Sequence, residues 1–183
     1  YGFNFRHYGA AYKDCHTDYT GQGYDQVKEV LRLIKEEPTS RRIIIELWNP
    51  ATLHKAALPS CLKTYQFYVD TQAKLLNVQI YIRSSDYFLA NNWNCATGAL
   101  LVYMICALED IDLTPGKIIV VTGDTHIYKS HLKQVNDNLV RNCYPFPHLN
   151  IKRKVKTLEE ITFDDIELIG YHAQPSIKAD MAV

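Results

Sequence analysis

The sequence lacks the features that mark several common classes of protein. Its five cysteines are widely spaced and include no C-x-x-C pair, which argues against a disulfide framework and against a cysteine zinc site. No apolar run approaches the length needed to span a bilayer, and no stretch has the form of a signal peptide. A glycine-rich phosphate loop is also missing. Disulfide-stapled, membrane-spanning, P-loop and dinucleotide-binding proteins are therefore not favoured.

An excess of one charge sign is missing as well, since 20 basic residues balance 20 acidic ones. This balance argues against a nucleic-acid or membrane-surface binder, but it is compatible with a small anionic ligand held by a few arginines. The unpaired cysteines favour a reducing, cytoplasmic compartment. At 183 residues the chain is predicted to form a single domain. Because it starts at Tyr1 without an initiator methionine, we expect it to begin inside a larger protein.

The spacing of apolar residues predicts helices and strands without a regular βαβ alternation, which favours the α+β class. An amphipathic helix is predicted between Asp25 and Pro38, and an apolar helix with several small residues over 93–108. Strands over 64–70 and 75–84 form a predicted hairpin. The other predicted elements are strands over 42–48, 117–122, 149–154 and 166–168, a helix over 130–141, a turn at 114–116, and irregular segments at 1–24 and 175–183.

One cysteine, Cys61, follows Pro59 and Ser60 and comes just before an apolar strand. From the residues alone it is either part of the core or a nucleophile, and a nucleophile needs a cation that stabilises its thiolate. Arg83 is the foremost such cation, because it closes an apolar strand and is followed by Ser84. An arginine fork matches two phosphate oxygens, so Arg83 either binds a phosphate or is an ordinary strand-end residue.

Three further residues carry groups suited to a nucleotide. Asn94 precedes most of the apolar helix and either caps that helix or offers its amide to the edge of a base. His126 and Tyr128 alternate along a segment that would place them on one face if extended. They either hydrogen-bond a sugar hydroxyl or form a satisfied core pair. Together with the thiol and the arginines, these groups are what a nucleotide-binding enzyme with a nucleophile needs.

The order and spacing of these residues resemble thymidylate synthase over essentially the whole chain. The matching segments are Tyr1-Gly2-Phe3-Asn4-Phe5-Arg6-His7, Ser40-Arg41-Arg42-Ile43-Ile44, Leu47-Trp48-Asn49-Pro50, Gln66-Phe67-Tyr68-Val69, Arg83-Ser84-Ser85-Asp86, Gly123-Asp124-Thr125-His126-Ile127-Tyr128, Ile151-Lys152-Arg153-Lys154 and Ile177-Lys178-Ala179-Asp180-Met181-Ala182-Val183. The extra residues around 12–23 are similar to those of the eukaryotic or large-DNA-virus branch.

The resemblance implies a mixed β-sheet packed against helices, with one face of the sheet used for dimerisation. It also implies reductive methylation of dUMP to dTMP with 5,10-methylenetetrahydrofolate as cosubstrate, dihydrofolate as product and no metal. The N-terminal part of the family domain, which supplies another phosphate-binding arginine loop, would be absent from residues 1–183. We therefore expect this segment alone to fold weakly and to be catalytically poor. In some relatives a dihydrofolate reductase domain lies upstream.

The resemblance further implies roles for individual residues. Cys61 would attack C6 of the pyrimidine and turn C5 into the carbon nucleophile that takes the methylene group, and Arg83 would favour the thiolate. Arg83 and Ser84 would bind the phosphate, and Arg41 and Arg42 would bind the phosphate in the partner subunit's site. Asn94 would recognise the uracil edge, and His126 and Tyr128 would bind the ribose hydroxyl. Tyr1 would belong to the network that removes the C5 proton, and the folate would be bound by Asp86, Leu89 and Val183. A homodimer would then be needed for a complete site.

The chain departs from the family pattern at four places. Leu62 stands where histidine usually follows the cysteine, and Ile82 stands where glutamine usually precedes the arginine. Residues 90–93 replace a glycine-hydrophobic-proline-phenylalanine run, and residues 173–175 replace Pro-His-Pro. These departures leave room for a pyrimidine nucleotide hydroxymethylase, in which water rather than hydride finishes the reaction, or for a catalytically weak homologue that binds a nucleotide or a partner. A structural dimer subunit without a ligand fits the arginines and the amide poorly.

Overall fold

The computed structural model of the chain describes residues 1–181. It contains a four-stranded sheet with the order β1-β2-β3-β4 and a two-stranded sheet formed by β5 and β6. The strands are β1 Ile44–Glu46, β2 Leu62–Asp70, β3 Leu75–Asp86, β4 Thr114–His126, β5 His148–Ile151 and β6 Ile166–Ile169, and the α-helices are α1 Gly2–Arg6, α2 Gln26–Glu36, α3 Asn91–Cys106 and α4 Leu132–Leu139. The predicted α+β class is confirmed.

Helix α2 forms where the sequence predicts an amphipathic helix. The side chain of Asp25 accepts a hydrogen bond from the amide of Lys28 at 2.9 Å and so caps the first turn. Val27, Val30 and Ile34 lie on one face of the helix and are buried in the core. The helix ends before Pro38, which the spacing of its apolar residues had indicated.

The predicted hairpin is confirmed, because β2 and β3 pair antiparallel from Leu62 opposite Ile82 to Asp70 opposite Leu75. Along both strands buried and more exposed residues alternate, so that one face of the sheet lies on the core and the other faces outward. Strand β4 pairs with β3 in parallel, which makes the sheet mixed. The predicted mixed sheet packed against helices is therefore present.

The turn predicted at 114–116 is wrong, since these residues form the start of β4. A proline and a glycine fit here because β4 is the edge strand and its register with β3 shifts between Leu76 and Val78. The side chain of Asn77 accepts a hydrogen bond from the amide of Lys117 at 2.8 Å. A Cβ atom at Gly116 would collide with that same Asn77 side chain, so glycine is required.

Two other element predictions need correction. The segment 1–24 is not wholly irregular, because α1 occupies Gly2–Arg6. The strand predicted over 42–48 is confined to Ile44–Glu46. Backbone hydrogen bonds to β2 continue on both sides of this short strand, from Leu47 to Lys63 at 2.7 Å and from Phe67 to Ile43 at 2.8 Å. The side chain of Asn4 in α1 donates to the Leu47 carbonyl at 3.1 Å and so joins the two corrected segments.

The apolar helix predicted over 93–108 is present as α3, shifted two residues towards the N-terminus. Gly98 packs its backbone against Ile80 and Tyr65, while Val102 and Ile105 are buried in the core. The opposite side of this helix is more open, and Trp93 is largely exposed. Within residues 1–181, no helix combines the length and the apolar character that a membrane span requires.

Candidate functional site

The register of the sheet gathers the predicted site residues at one end. Leu62 lies opposite Ile82, and the amide of Arg83 donates to the carbonyl of Cys61 at 2.8 Å. On the other side of β3, the parallel register places Ser84 beside Asp124 and Asp86 beside His126. Helix α3 begins a few residues after β3 ends. Segments far apart in sequence thus contribute Cys61, Arg83, Ser84, Asp86, Asn94 and His126 to neighbouring positions.

The loop that carries Cys61 is held by the side chain of Arg83. Its Nε donates to the carbonyl of Ser60 at 2.8 Å, and its Nη2 donates to the carbonyl of Pro59 at 3.0 Å. The guanidinium also lies 5.1 Å from the centre of the Trp48 ring, within the range of a cation–π contact. A permanent positive charge is therefore fixed next to the residues that precede the thiol.

Tyr1 also holds this loop, on the other side of Cys61 from Arg83. Its hydroxyl oxygen accepts hydrogen bonds from the amides of Cys61 and Leu62 at 2.9 and 3.2 Å. The Tyr1 side chain remains largely exposed, so its hydroxyl proton is free to point away from the loop. The phenol is thus in direct contact with the backbone of the candidate nucleophile.

The five cysteines lie in different environments. Cys61 is partly exposed and is not a member of the buried core cluster, so the structure does not use it as core filler. Cys106 is buried, and this burial raises the pKa of its thiol to about 11, although the nearby Lys154 ammonium partly opposes the effect. Burial also raises the pKa of the Cys95 thiol. Cys15 and Cys143 are exposed.

Asp86 organises the turn between β3 and α3. Its Oδ1 accepts hydrogen bonds from the amides of Phe88 and Leu89, each at 3.1 Å. Leu89 is half-buried in this turn and lies next to Asp86, which brings together two of the three predicted folate contacts. The third, Val183, lies outside the described residues.

Asn94 lies in the first turn of α3, and its side chain is half-buried. The interpretation that it caps this helix is wrong, because the helix begins at Asn91 and Ala90 occupies the N-cap position. The backbone amide of Asn94 donates to the carbonyl of Ala90 at 3.1 Å, but its side-chain carboxamide forms no hydrogen bond with the described residues. The carboxamide is therefore left for another partner.

His126 and Tyr128 lie side by side, as their alternation predicts. Their ring centres are 5.0 Å apart and the rings are nearly perpendicular. Nδ1 of His126 lies 2.7 Å from Oδ1 of Asp124, so the carboxylate orients the imidazole. Both residues are only partly buried, which does not fit a core pair.

Arg41 and Arg42 do not join this cluster. Strand β1 pairs with β2 so that the carbonyl of Ile43 accepts from the amide of Phe67 at 2.8 Å, six residues beyond Cys61. At about 3.3 Å per residue, this separation is roughly 20 Å. Both arginines are exposed. Within one chain they therefore lie at the other end of the sheet from Cys61.

Two residues near the site were not identified as individual candidates. The Trp48 ring lies below the Arg83 guanidinium, and His131 is buried beside Tyr128 with ring centres 5.7 Å apart. Neither has a local sequence signal, since Trp48 lies in an apolar run and His131 in a predicted surface helix. Two of the departures from the family pattern, Leu62 and Ile82, are core residues that are 3% and 0% exposed.

A cavity of about 640 Å³ lies beside the site and not over it. Tyr1, α1, and residues around 12–19 and 52–57 line this cavity, whereas Cys61 and Arg83 do not. A second cavity, of about 380 Å³, lies between α3 and β5. Among residues 1–181, no three His, Cys, Asp or Glu side chains are grouped so as to hold a metal ion.

Comparison with known proteins gives a consistent result. The family model described as thymidylate synthase matches residues 1–183. The chain is 46% identical over its full length to a bifunctional dihydrofolate reductase-thymidylate synthase from Paramecium tetraurelia, covering 38% of that protein. It is also 46% identical to a thymidylate synthase of human herpesvirus 8 (type P, isolate GK18) and 44% identical to a thymidylate synthase of Homo sapiens, again over its whole length, covering 53% and 57% of them. The chain thus spans roughly two-fifths to three-fifths of these relatives.

Proposed function

The chain belongs to the thymidylate synthase family, and we propose that the full-length protein methylates dUMP to dTMP with 5,10-methylenetetrahydrofolate. One observation carries the proposal. Cys61 is partly exposed at the end of the sheet, in a loop that Arg83 and Tyr1 hold by hydrogen bonds from opposite parts of the chain. Cys61 directly follows the two residues whose carbonyls bind the Arg83 cation, and a cation close to the thiol is what a cysteine nucleophile requires.

The nucleotide would occupy the space between this loop and the ends of β3 and β4. Cys61 would form a bond to C6 of the pyrimidine, and the electron pair would move to C5, which would attack the methylene carbon as its bond to one folate nitrogen breaks. Loss of the C5 proton would release the other folate nitrogen. A hydride from the tetrahydrofolate would then complete the methyl group as the bond between Cys61 and C6 breaks, leaving dihydrofolate. Arg83 and Ser84 would bind the phosphate, and the side-chain carboxamide of Asn94 would pair with the uracil edge. His126, oriented by Asp124 and packed against Tyr128, would bind the ribose hydroxyl.

We further propose that the protein is a homodimer in which Arg41 and Arg42 bind the phosphate in the partner's site. Their position at the far end of the sheet supports this, since they cannot reach the Cys61 loop of their own chain. The outward sheet face supports it too. The strand register aligns Ile44, Gln66, Gln79 and Ile119 in one row across this face, and Ile44 and Ile119 are exposed. The row combines two exposed isoleucines with two glutamines, and exposed apolar side chains on a regular sheet face are typical of a surface covered by a second copy.

Folate would bind at the turn before α3, where the Asp86 carboxylate holds the amide of Leu89. The second carboxylate oxygen of Asp86 is available to a donor on the folate ring. Val183 would contribute from the C-terminal segment, and closure of this segment would exclude water from the reacting atoms. Tyr1 would belong to the network that removes the proton from C5.

The deciding experiment is covalent trapping with fluorodeoxyuridylate and methylenetetrahydrofolate in the full-length protein. We expect a stable ternary complex whose mass equals the sum of the three components and whose modified peptide contains Cys61. Cys61→Ser should abolish the complex and lower kcat by at least about a thousandfold. Cys143→Ser, at an exposed cysteine that does not line the cavity beside the site, is the matched control and should leave the complex intact.

The same material separates the alternatives. Turnover with dUMP should yield dTMP by mass, whereas hydroxymethyl-dUMP would identify a hydroxymethylase. Failure to form the covalent complex, with dUMP binding retained, would identify a nucleotide-binding homologue without this chemistry. Tritium release from C5-labelled dUMP, compared between residues 1–183 and the full-length protein, tests our expectation that the segment alone is poorly active.

A further inference from the structure

The C-terminal segment lies along α4 and is held there mainly by side chains of the helix region. These side chains donate hydrogen bonds to backbone carbonyls of the segment. The pairs are Arg141 with Pro175 at 2.5 Å, Gln134 with Lys178 at 3.5 Å, and His131 with Asp180 at 2.7 Å. The residue numbers of the donors fall from 141 to 131 while those of the tail rise from 175 to 180, so the segment runs antiparallel to α4.

His131 differs from the other two donors because it is buried, with 1% of its surface exposed. Its ring packs between Phe88 and Tyr128, with centres at 5.8 and 5.7 Å. Its amide donates to the carbonyl of Tyr128 at 2.9 Å. Phe88 follows Asp86 and donates its own amide to that carboxylate. One imidazole therefore contacts the segments that follow β3 and β4, as well as the tail.

The hydrogen bond to the tail shows which ring nitrogen of this imidazole carries a proton. A carbonyl only accepts, so the ring must donate to Asp180 through Nε2–H. Nδ1 is buried and has no hydrogen-bond partner among the described residues. The tail carbonyl is thus the ring's single polar contact in the part of the chain that the structure describes.

From this arrangement we propose that His131 is a positioning residue that sets the C-terminal segment over the site. The proposal rests on the proposed function for its kinetic consequence, but the contact itself does not depend on it. The pairs of Arg141 and Gln134 guide the segment along α4, and His131 fixes its last described residues beside Phe88 and Tyr128. Met181, one residue beyond the contact, is exposed.

The first test measures the mobility of the tail backbone by ¹⁵N relaxation in the full-length protein without ligands. His131→Leu keeps an apolar side chain of similar volume but removes the donor to the Asp180 carbonyl, so the order parameters of residues 179–181 should fall below about 0.6. His131→Gln places an amide nitrogen near the position of Nε2 and should restore most of the order. Lys133→Gln, on the exposed side of α4, is the matched control and should change nothing. Unchanged order parameters in His131→Leu would overturn the proposal.

A second measurement addresses whether His131 acts through the tail or through Tyr128. The effects of His131→Leu and of deleting residues 179–183 on the unfolding equilibrium should be non-additive, because each removes the same contact. In turnover assays His131→Leu should raise the KM for the folate about fivefold or more while leaving the affinity for dUMP within twofold. Additive effects, or an equal loss of dUMP affinity, would assign His131 to Tyr128 alone. If no turnover is found in any variant, the proposed function fails, whereas the relaxation and unfolding results still decide the role of His131.

Discussion

The hydroxyl of Tyr1 and the amide of Cys61 are joined by a hydrogen bond of 2.9 Å. The contact ties the first described residue to a loop 60 positions later, and a second bond of 3.2 Å extends it to Leu62. Arg83 holds the two residues on the other side of Cys61. The geometry of the thiol is therefore set by side chains from outside its own loop.

Tyr1→Phe should loosen this loop in the full-length protein. The substitution removes the acceptor and leaves two amides without a partner, so the amides of Cys61 and Leu62 should exchange about five to ten times faster. Hydrogen exchange followed by mass spectrometry or NMR measures this directly. Tyr12→Phe is the control, because the Tyr12 hydroxyl forms no hydrogen bond with the described residues, and it should leave both amides unchanged. Equal exchange in Tyr1→Phe and the parent protein would contradict the contact.

Arg83→Lys should weaken both the loop and the binding of dUMP. A lysine keeps the charge but cannot donate to the Ser60 and Pro59 carbonyls in the same geometry or place a guanidinium over Trp48. We expect unfolding to become easier by about 1–2 kcal/mol and dUMP to bind at least about tenfold more weakly. Urea denaturation and nucleotide titration measure the two effects.

Arg32→Lys is the matched control for that change. Arg32 pairs with Glu29, Glu36 and Glu37 on the exposed side of α2, where ion pairs contribute little. Both the unfolding free energy and the dUMP affinity should stay near their parent values. A similar loss in the two variants would mean that the Arg83 contacts have no special weight.

The fold could be predicted best where the signal is local. Helix α2 carries its apolar spacing and its stop signal within a single segment, and both were confirmed, while the structure adds the Asp25 cap. The start of β4 was missed because a proline and a glycine are normally turn residues, and only parallel pairing with β3 and the Asn77 side chain allow a strand there. Pairing between distant segments is not encoded in a short window.

The site shows the same division. The residue types at Cys61, Arg83 and Asn94 were visible in the sequence, but each had an ordinary structural explanation, and the roles came from the family resemblance. Their proximity depends on the register of β2 against β3 and on where α3 begins. The cap interpretation of Asn94 failed because the helix starts three residues earlier, at the end of a turn that Asp86 holds. His131 was missed because no residue near it in the sequence indicates that it contacts the C-terminal segment.

Mixing two inactive variants tests the proposed exchange of arginines between subunits. Cys61→Ser lacks the nucleophile but keeps its arginines, whereas a variant with both Arg41→Ala and Arg42→Ala keeps the nucleophile. A mixed dimer would contain one complete site, so an equal mixture that re-forms dimers at random should regain about a quarter of the parent activity. Each variant mixed with buffer instead of the other variant is the control and should stay inactive. No recovery, with mixed dimers demonstrated by native mass spectrometry, would show that the arginines act in their own chain or not at all.

The buried thiol of Cys106 makes stability depend on pH above neutrality. Burial raises its pKa from 9.0 to about 11, and burial raises the pKa of Tyr65 from 10.0 to about 12. A raised pKa in the folded state favours the protonated form there, so the contribution is complete below the unfolded value and is lost as pH rises from about 9 towards 12. The parent protein should therefore lose more stability between pH 8 and pH 11 than Cys106→Ala, by on the order of 2 kcal/mol, in urea titrations. Cys15→Ala, at an exposed thiol, should follow the parent curve, and parallel curves for the parent and Cys106→Ala would show that this thiol does not ionise more easily on unfolding.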